Sequence, residues 1–439
     1  MSDSPTVTQQ TAIRFPAGFL WGAATSAHQV EGGNVHNDWW RWEHRAPDID
    51  PRLQSGAACR HWERFDADFA LAAADGHNAH RLSIEWSRIE PEPDHINAVA
   101  VAHYHEVFAS LRRHGLTPIV TLAHFTVPAW IADLGGWASR ETIGHFCAFV
   151  RHCAREYGSE VDWWCTINEP EVLAFRAYSE GIWPPQRRDD SAALRVIANQ
   201  LEAHGLAYRI LHEEDRTDAD GDGHAARVGF AKHVVQLEPH RAWSPLDRLR
   251  CHFETRVFND AVLDAPVSGR IELSIPGARS VRRDVPELAK SLDWIGLNYY
   301  TRWGVDAAGK VPHVARRGAQ VTDLGWEVYP EGLALAARRA ALTGAPVLVT
   351  EHGFADAADA LRPLALVESL AALGREIERG LPVLGYLHWS LMDNFEWAEG
   401  WRGRFGLYRV DAARNPEGRE RTRSAEVFAG IARANTVTL

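Results

Sequence analysis

Val161-Asp162-Trp163-Trp164-Cys165-Thr166-Ile167-Asn168-Glu169-Pro170 is the stretch on which the reading of this chain turns. Its apolar and aromatic run reads as a buried strand, and Pro170 stops that strand just after an amide and a carboxylate. Val347-Leu348-Val349-Thr350-Glu351-His352-Gly353 repeats the pattern, a β-branched strand ending in a glutamate and a turn. The two glutamates stand 182 positions apart. They meet only if the fold closes on itself, and carboxylates at the C-terminal ends of strands are how an α/β barrel presents reacting groups.

Outward from these two strands the same unit recurs. Phe19–Ala24 reads as a first strand, running into the polar, glycine-ended loop Thr25–Gly33. Further strands are expected over Ala79–Trp86, Pro118–Ala123, Arg227–Val234, Asp293–Tyr300 and Val383–Trp389. Between them, apolar residues at helical spacing predict helices over His61–Asp75, Val99–His114, Arg140–Tyr157, Ser191–Glu213, Leu249–Leu263, Pro330–Thr343 and Leu366–Arg379, several stopped by a glycine. Eight strands alternating with helices predict one (β/α)8 barrel, residues 13–439, with extended loops after strands 1, 4, 6 and 8. Residues 1–12 are expected to form a loose arm.

Composition bounds the function. The 439 residues are 46% hydrophobic, enough for a large core, and the net charge of −11 argues against nucleic acid and anionic membrane surfaces as partners. Five scattered cysteines without metal spacing read as reduced thiols in a cytoplasmic protein. Residues 1–11 lack an apolar leader core, and no run approaches the roughly 18 residues of a membrane span. Oligomeric state is not legible; a homo-oligomer is compatible with the sequence. The Asp218–Gly223 loop lacks the spacing of a calcium loop and reads as a solvated turn.

In a barrel the candidate site residues are those just past each strand. They are Gln29, Arg81 with Trp86 beyond it, His124, Asn168, Glu169, Asn298, Tyr300, Glu351 and Trp389, followed by Glu396, Trp397 and Phe405. Amides, carboxylates, one imidazole and several aromatics suit a small carbohydrate. They do not suit a phosphate, which calls for glycine-rich turns and cations. Two carboxyls flanking one bond is the requirement of glycoside hydrolysis: one must be protonated and the other ionised. A nearby Arg81 would keep one charged, and a drier aromatic pocket would keep the other protonated.

The chain resembles glycoside hydrolase family 1, the β-glucosidase family. The resemblance rests on Phe19–Ser26 with Gln29–Gly32, Arg81–Ile89, Thr166–Pro170, Asn298–Tyr300, Gly325–Pro330, Thr350–Gly353, Trp389–Trp397 and Arg404–Leu407, in the family's order. It implies a retaining exo-β-glycosidase releasing terminal glucosyl, and also galactosyl or fucosyl, residues, with neither cofactor nor metal. It further implies Glu169 as acid/base, Glu351 as nucleophile and Asn168 on the sugar 2-hydroxyl. Arg81 and Tyr300 would orient the nucleophile, with Asn298 in support. Gln29, His124, Trp389, Glu396 and Trp397 would form the glycone pocket, and Trp326 and Phe405 the aglycone side. Two residues depart from the family pattern: His352 where it usually has Asn, and Phe125 where it usually has Trp. Glu396, retained, and Glu399 beside it disfavour a 6-phosphate, and Glu169 argues against the thioglucosidase branch.

Of the 18 tryptophans, Trp21, Trp163, Trp164 and Trp294 read as core, while Trp39, Trp40 and Trp42 are open between rim and packing. His28, His352 and His388 read as structural. A silent sugar-binding barrel is disfavoured because both glutamates are present. A metal-dependent hydrolase is disfavoured because strand 1 offers only His28.

Overall fold

The computed structural model describes residues 12–308 and 313–439. Eight strands close into a parallel barrel. They are β1 (Leu20–Ala24), β2 (Ala79–Ser83), β3 (Thr117–Ala123), β4 (Trp163–Asn168), β5 (Arg227–His233), β6 (Ile295–Tyr299), β7 (Val347–His352) and β8 (Val383–Trp389). Each pairs with its neighbours in chain order, and β8 returns to β1 through Tyr386↔Trp21 and Trp389↔Ala24. That closure carries Glu169, just past the end of β4, and Glu351, on β7, to the same end of the barrel.

Helices α1 (His61–Ala74), α2 (Ala98–Arg113), α3 (Glu141–Tyr157) and α4 (Asp190–Glu214) follow strands β1 to β4. After β5, Pro245–Thr255 runs through a π-turn, Arg256–Asp260, into Ala261–Ser268, and together these form α5. Then come α6 (Glu331–Ala340), α7 (Arg362–Glu378) and α8 (Arg423–Ala434). The expected elements are present within a few residues. Three differences stand out. The loop after β1 contains a short helix, Ala27–Val30; the strand expected to Trp86 ends at Ser83, and Trp86–Ile89 is helical. Helix α8, which completes the ring, was not among the expected elements; its Ala425, Phe428, Ile431 and Ala432 face the core at helical spacing. The expected arm, apart from Ala12, falls outside the described residues. Ala12–Arg14 is a strand pairing antiparallel with Thr436–Thr438.

The core has two layers. Between barrel and helices lies a continuous apolar shell. Inside the barrel a second cluster mixes small residues (Ala24, Ala79, Ala231) with Trp163 and Trp294, which meet at 6.1 Å. Glycine is required where strands are crowded by such rings: a Cβ on Gly229 of β5 would lie 2.3 Å from the Trp294 carbonyl oxygen. The loops after β5 and β6 add a small sheet, with Gln236–Pro239 beside Arg302–Val305 and that strand beside His313–Val314.

Candidate active site

A cavity of about 620 Å³ opens at the C-terminal ends of the strands, and both glutamates line it. Glu351 is 4% exposed and Glu169 5%, so neither charge is bathed in water. Their surroundings differ. Arg81, wholly buried on β2, ion-pairs through Nη1 with Glu351 Oε1, and the Tyr300 hydroxyl donates to Glu351 Oε2 at 2.6 Å. Arg81 is itself held by Thr121 Oγ1 at 3.0 Å and by Asn168 Oδ1 at 2.6 Å. Among the described residues no cation ion-pairs with Glu169; Asn298 Nδ2 donates to its Oε1 at 2.7 Å, and its backbone N–H bonds Ala231 O at 2.8 Å.

Burial pushes both carboxyls above the usual range. For Glu351 the Arg81 charge and the donors Tyr300 and Asn298 pull back toward the ionised form. For Glu169 the charges of Glu351 and Glu171 add to burial, so it rises well above an ordinary glutamate. Of the two, Glu169 is therefore pushed further toward its protonated form, while Arg81, Tyr300 and Asn298 hold Glu351 back from it.

Around this pair, the Asn168 amide is anchored on three sides. Its Oδ1 accepts from Arg81 and from Asn298 Nδ2 at 3.1 Å, and its Nδ2 meets His124 Nε2 at 3.4 Å. The His124 ring lies nearly parallel to Trp389 and Trp397, with centroids at 6.0 and 6.1 Å. Burial and the nearby Arg81 keep it well below the ordinary histidine range, hence neutral. Phe125 packs edge-on against Trp397 at 5.2 Å and tilted against Trp183 at 5.0 Å. Glu396 Oε2 is buried with no hydrogen-bond partner among the described residues, and its carboxyl is pushed up to about 8 by burial, the Glu351 charge and, last, Glu399. A Cβ on Gly403 would sit 2.8 Å from Glu396 Cγ, so that glycine makes room for the side chain. Phe125 (φ 71), Glu169 (φ 46) and Trp397 (φ 49) all have left-handed backbone, which is uncommon off glycine and gathers at sites where geometry is imposed.

Among the expected residues, Glu169, Glu351, His124, Phe125, Tyr300, Trp326, Trp389, Glu396 and Trp397 line the cavity. Arg81, Asn168 and Asn298 are buried directly beneath the two carboxyls. Gln29 stands behind the wall: Ser26 Oγ donates to its Oε1 at 2.6 Å, and its Nε2 is held by Asn394 Oδ1 at 3.1 Å and Phe395 O at 2.8 Å. Phe405 packs behind Tyr300 and Trp326. His352 bonds Tyr386 OH at 2.7 Å on the side away from the cavity, and burial lowers it to about 3. His28 is buried against Glu43 at 2.8 Å, and His388 meets Phe405 O at 3.2 Å. Trp39 proves to be packing, wholly buried against Trp42, Trp183 and Trp397.

Strand β5 held residues the sequence reading passed over. Lys232, fully buried, donates to Glu171 Oε1 at 2.8 Å, and His233 reaches the cavity wall. The strand-end rule that picked out the other candidates would have found both. In the Asp218–Gly223 turn, Asp218 accepts from the backbone of Gly221, Asp222 and Gly223. Asp218 and Asp220 approach Asp162.

An eight-stranded parallel barrel with two buried carboxyls in one cavity at its C-terminal end is the frame of a barrel glycoside hydrolase, and the comparisons with known proteins agree. The sequence model described as "Glycosyl hydrolase family 1" matches residues 11–437. The chain is 32% identical to a β-galactosidase of Pyrococcus woesei, over 97% of this chain and 98% of that protein. It is also 32% identical to β-glucosidase A of Thermotoga maritima, over 91% and 93%. Among solved structures, a β-glycosidase from Pyrococcus horikoshii superposes with a TM-score of 0.87 at 36% identity, covering 97% of this chain and 96% of that one. The chain belongs to glycosyl hydrolase family 1 and is a glycoside hydrolase. Among the described residues no helix is long and apolar enough to cross a membrane.

Proposed function

We propose that this protein is a retaining exo-β-glycosidase that releases terminal β-D-glucosyl residues, and β-galactosyl or fucosyl residues as well, from small glycosides. The observation that carries the reading is the unequal setting of its two carboxyls. Glu351, held by Arg81 and Tyr300, attacks C1 while Glu169, kept protonated, gives its proton to the departing oxygen. The C1–O bond breaks as the Glu351–C1 bond forms. Glu169, now ionised, takes a proton from water, which attacks C1 and frees the nucleophile.

Retention is supported by Asn298, whose one amide donates to Glu169 and also favours the charged form of Glu351. A shared neighbour suits the close carboxyl pair of retaining enzymes, about 5–5.5 Å, better than the 6.5–9.5 Å of inverting ones. Exo action is supported by ring-on-ring packing of His124, Phe125, Trp183 and Trp397 along one side of the cavity. Asn168, His124, Trp389, Glu396 and Trp397 hold the glycone in this reading. The barrel, residues 13–439, acts as one domain. A cytoplasmic setting is supported by five unpaired cysteines.

The test is the first-formed product. With wild-type enzyme and an aryl β-glucoside, NMR should show the β-anomer before mutarotation; initial α-anomer would overturn retention. Glu351→Ala should lose turnover and regain part of it with azide, yielding the α-glycosyl azide. An α-azide from Glu169→Ala instead would reverse the two roles.

A further inference from the structure

Two residues beyond Glu169, Glu171 is wholly buried, behind the cavity wall that Glu169 lines. Its partner is Lys232 on β5, also wholly buried, whose Nζ donates to Glu171 Oε1 at 2.8 Å and to the carbonyl oxygen of His233. Glu171 Oε1 also accepts from the His233 backbone N–H at 3.1 Å. Both charges have left water, and Glu171 Oε2 has no hydrogen-bond partner among the described residues. A buried ion pair is weak evidence for stability, because well-packed apolar side chains often serve the fold as well. The pair calls for another explanation.

What the pair holds is the chain around Glu169. The Glu169 N–H bonds the carbonyl of Ala231, the residue before Lys232, at 2.8 Å. Pro170 has no N–H to add. Glu171 then returns to β5 at Lys232 and His233. Glu169 therefore hangs between two ties to one strand, on left-handed backbone at φ 46 without a glycine's freedom. The pair also acts through space: the charge of Glu171 favours the protonated form of Glu169, and that of Lys232 the ionised form. Other groups face the same carboxyl. Glu351 comes from β7, Asn298 from β6 and Tyr300 from just past its end. From α5, Asp260 acts on Lys232. His233 is lowered to about 3 by burial and the Lys232 and Arg176 charges, hence neutral.

We propose that Lys232 and Glu171 are positioning residues for the acid/base Glu169: they fix its backbone between β4 and β5 and keep the charge behind its carboxyl balanced. The inference rests on the acid/base role given to Glu169 above and deepens it. Neither side chain touches the substrate; both act through the placement and proton affinity of Glu169.

The experiment measures pH profiles of kcat/KM for full-length Lys232→Met, Glu171→Gln and the double variant, on phenyl and dinitrophenyl β-glucosides. Phenoxide leaves poorly and needs the proton of Glu169; dinitrophenoxide leaves without it. A displaced acid should cost the phenyl glucoside about tenfold in kcat/KM, part of the roughly 10²–10⁴ that acid catalysis supplies, and leave the dinitrophenyl glucoside within about threefold. The basic limb reports Glu169 losing its proton. Glu171→Gln removes a negative charge and should move that limb to lower pH; Lys232→Met removes a positive one and should move it to higher pH. In the double variant the limb should return to its wild-type position while the phenyl glucoside stays impaired. That variant leaves no unpaired buried charge, so it carries the test where a single variant fails to fold. Equal losses on both substrates, or no loss on either, would overturn the positioning role. Limbs that stay in place, or move the same way in both single variants, would overturn the charge balance. Glu169→Gln is the reference: without the same split between substrates, the acid/base role itself falls.

Discussion

At Glu351, charge is controlled by two neighbours that act on different oxygens. Arg81 takes Oε1 and Tyr300 takes Oε2. Tyr300→Phe leaves Oε2 without its donor. Hydrogen bonds to charged groups contribute about 1.5–3 kcal/mol, so kcat/KM should fall roughly 10- to 100-fold. The ionised nucleophile would lose a stabilising donor and its pKa would rise, so the acidic limb of the kcat/KM profile should move to higher pH. A limb that stays in place would take this role from Tyr300. Glu169 responds in the opposite sense. The Glu351 charge helps push it up, so Glu351→Gln should lower its pKa, readable by NMR titration of isotope-labelled glutamate. An unchanged or higher pKa would show the two groups to be uncoupled. These residues were legible from sequence because each sits inside a motif at a strand end. Lys232 and His233 end β5 and were open to the same strand-end rule, whereas Glu171 takes its meaning only from its contact with Lys232. The sugar contact that the resemblance implied for Gln29 meets an amide already held on both sides by Ser26, Asn394 and Phe395.

At the scale of the element, strand β5 illustrates how a barrel wall limits its own side chains. Gly229 is pressed against the Trp294 carbonyl and indole of the neighbouring chain segment. Its φ is not left-handed, so the objection to a side chain is space alone. Gly229→Ala should cost about 1–3 kcal/mol, the usual range for overpacking, seen as a lowered urea midpoint with unchanged slope. A midpoint equal to wild type would mean β5 and β6 can part without cost. Strand periodicity was easy to read because each strand is short, apolar and closed by a turn residue. Boundaries were harder. Ala79–Trp86 reads as one strand, yet the backbone turns helical at Trp86 so that Trp86 can stack on Phe149 at 5.2 Å. The small sheet formed by Gln236–Pro239 and Arg302–Val305 had no signal within either segment, since its strands come from different loops.

For the whole molecule, closure depends on the face opposite the site. Asn435 ties the end of α8 to the start of the chain: its Oδ1 accepts from Trp21 Nε1 at 2.9 Å, and its Nδ2 donates to Phe15 O at 2.9 Å and Pro16 O at 3.0 Å. It also holds left-handed backbone at φ 50, which Asn tolerates better than Ala. Asn435→Ala should lose about 2–4 kcal/mol of stability, at roughly 1 kcal/mol per hydrogen bond plus the backbone term. Because this knot lies at the far end of β1 from the cavity, kcat should be unchanged at temperatures where the variant is folded. A fall in kcat without a fall in Tm would contradict this division of labour. The sequence alone determined the number and order of strands, the barrel they imply and the two glutamates at their ends, because those depend on local periodicity and on residues contiguous in the chain. Tertiary structure alone decided which carboxyl lies beside the guanidinium, that Gln29 is hydrogen-bonded to Ser26, Asn394 and Phe395, and that rings from β5, α5 and the small sheet line one wall of the cavity. Burial, ion pairing and shared walls arise only when segments far apart in the chain are brought into contact.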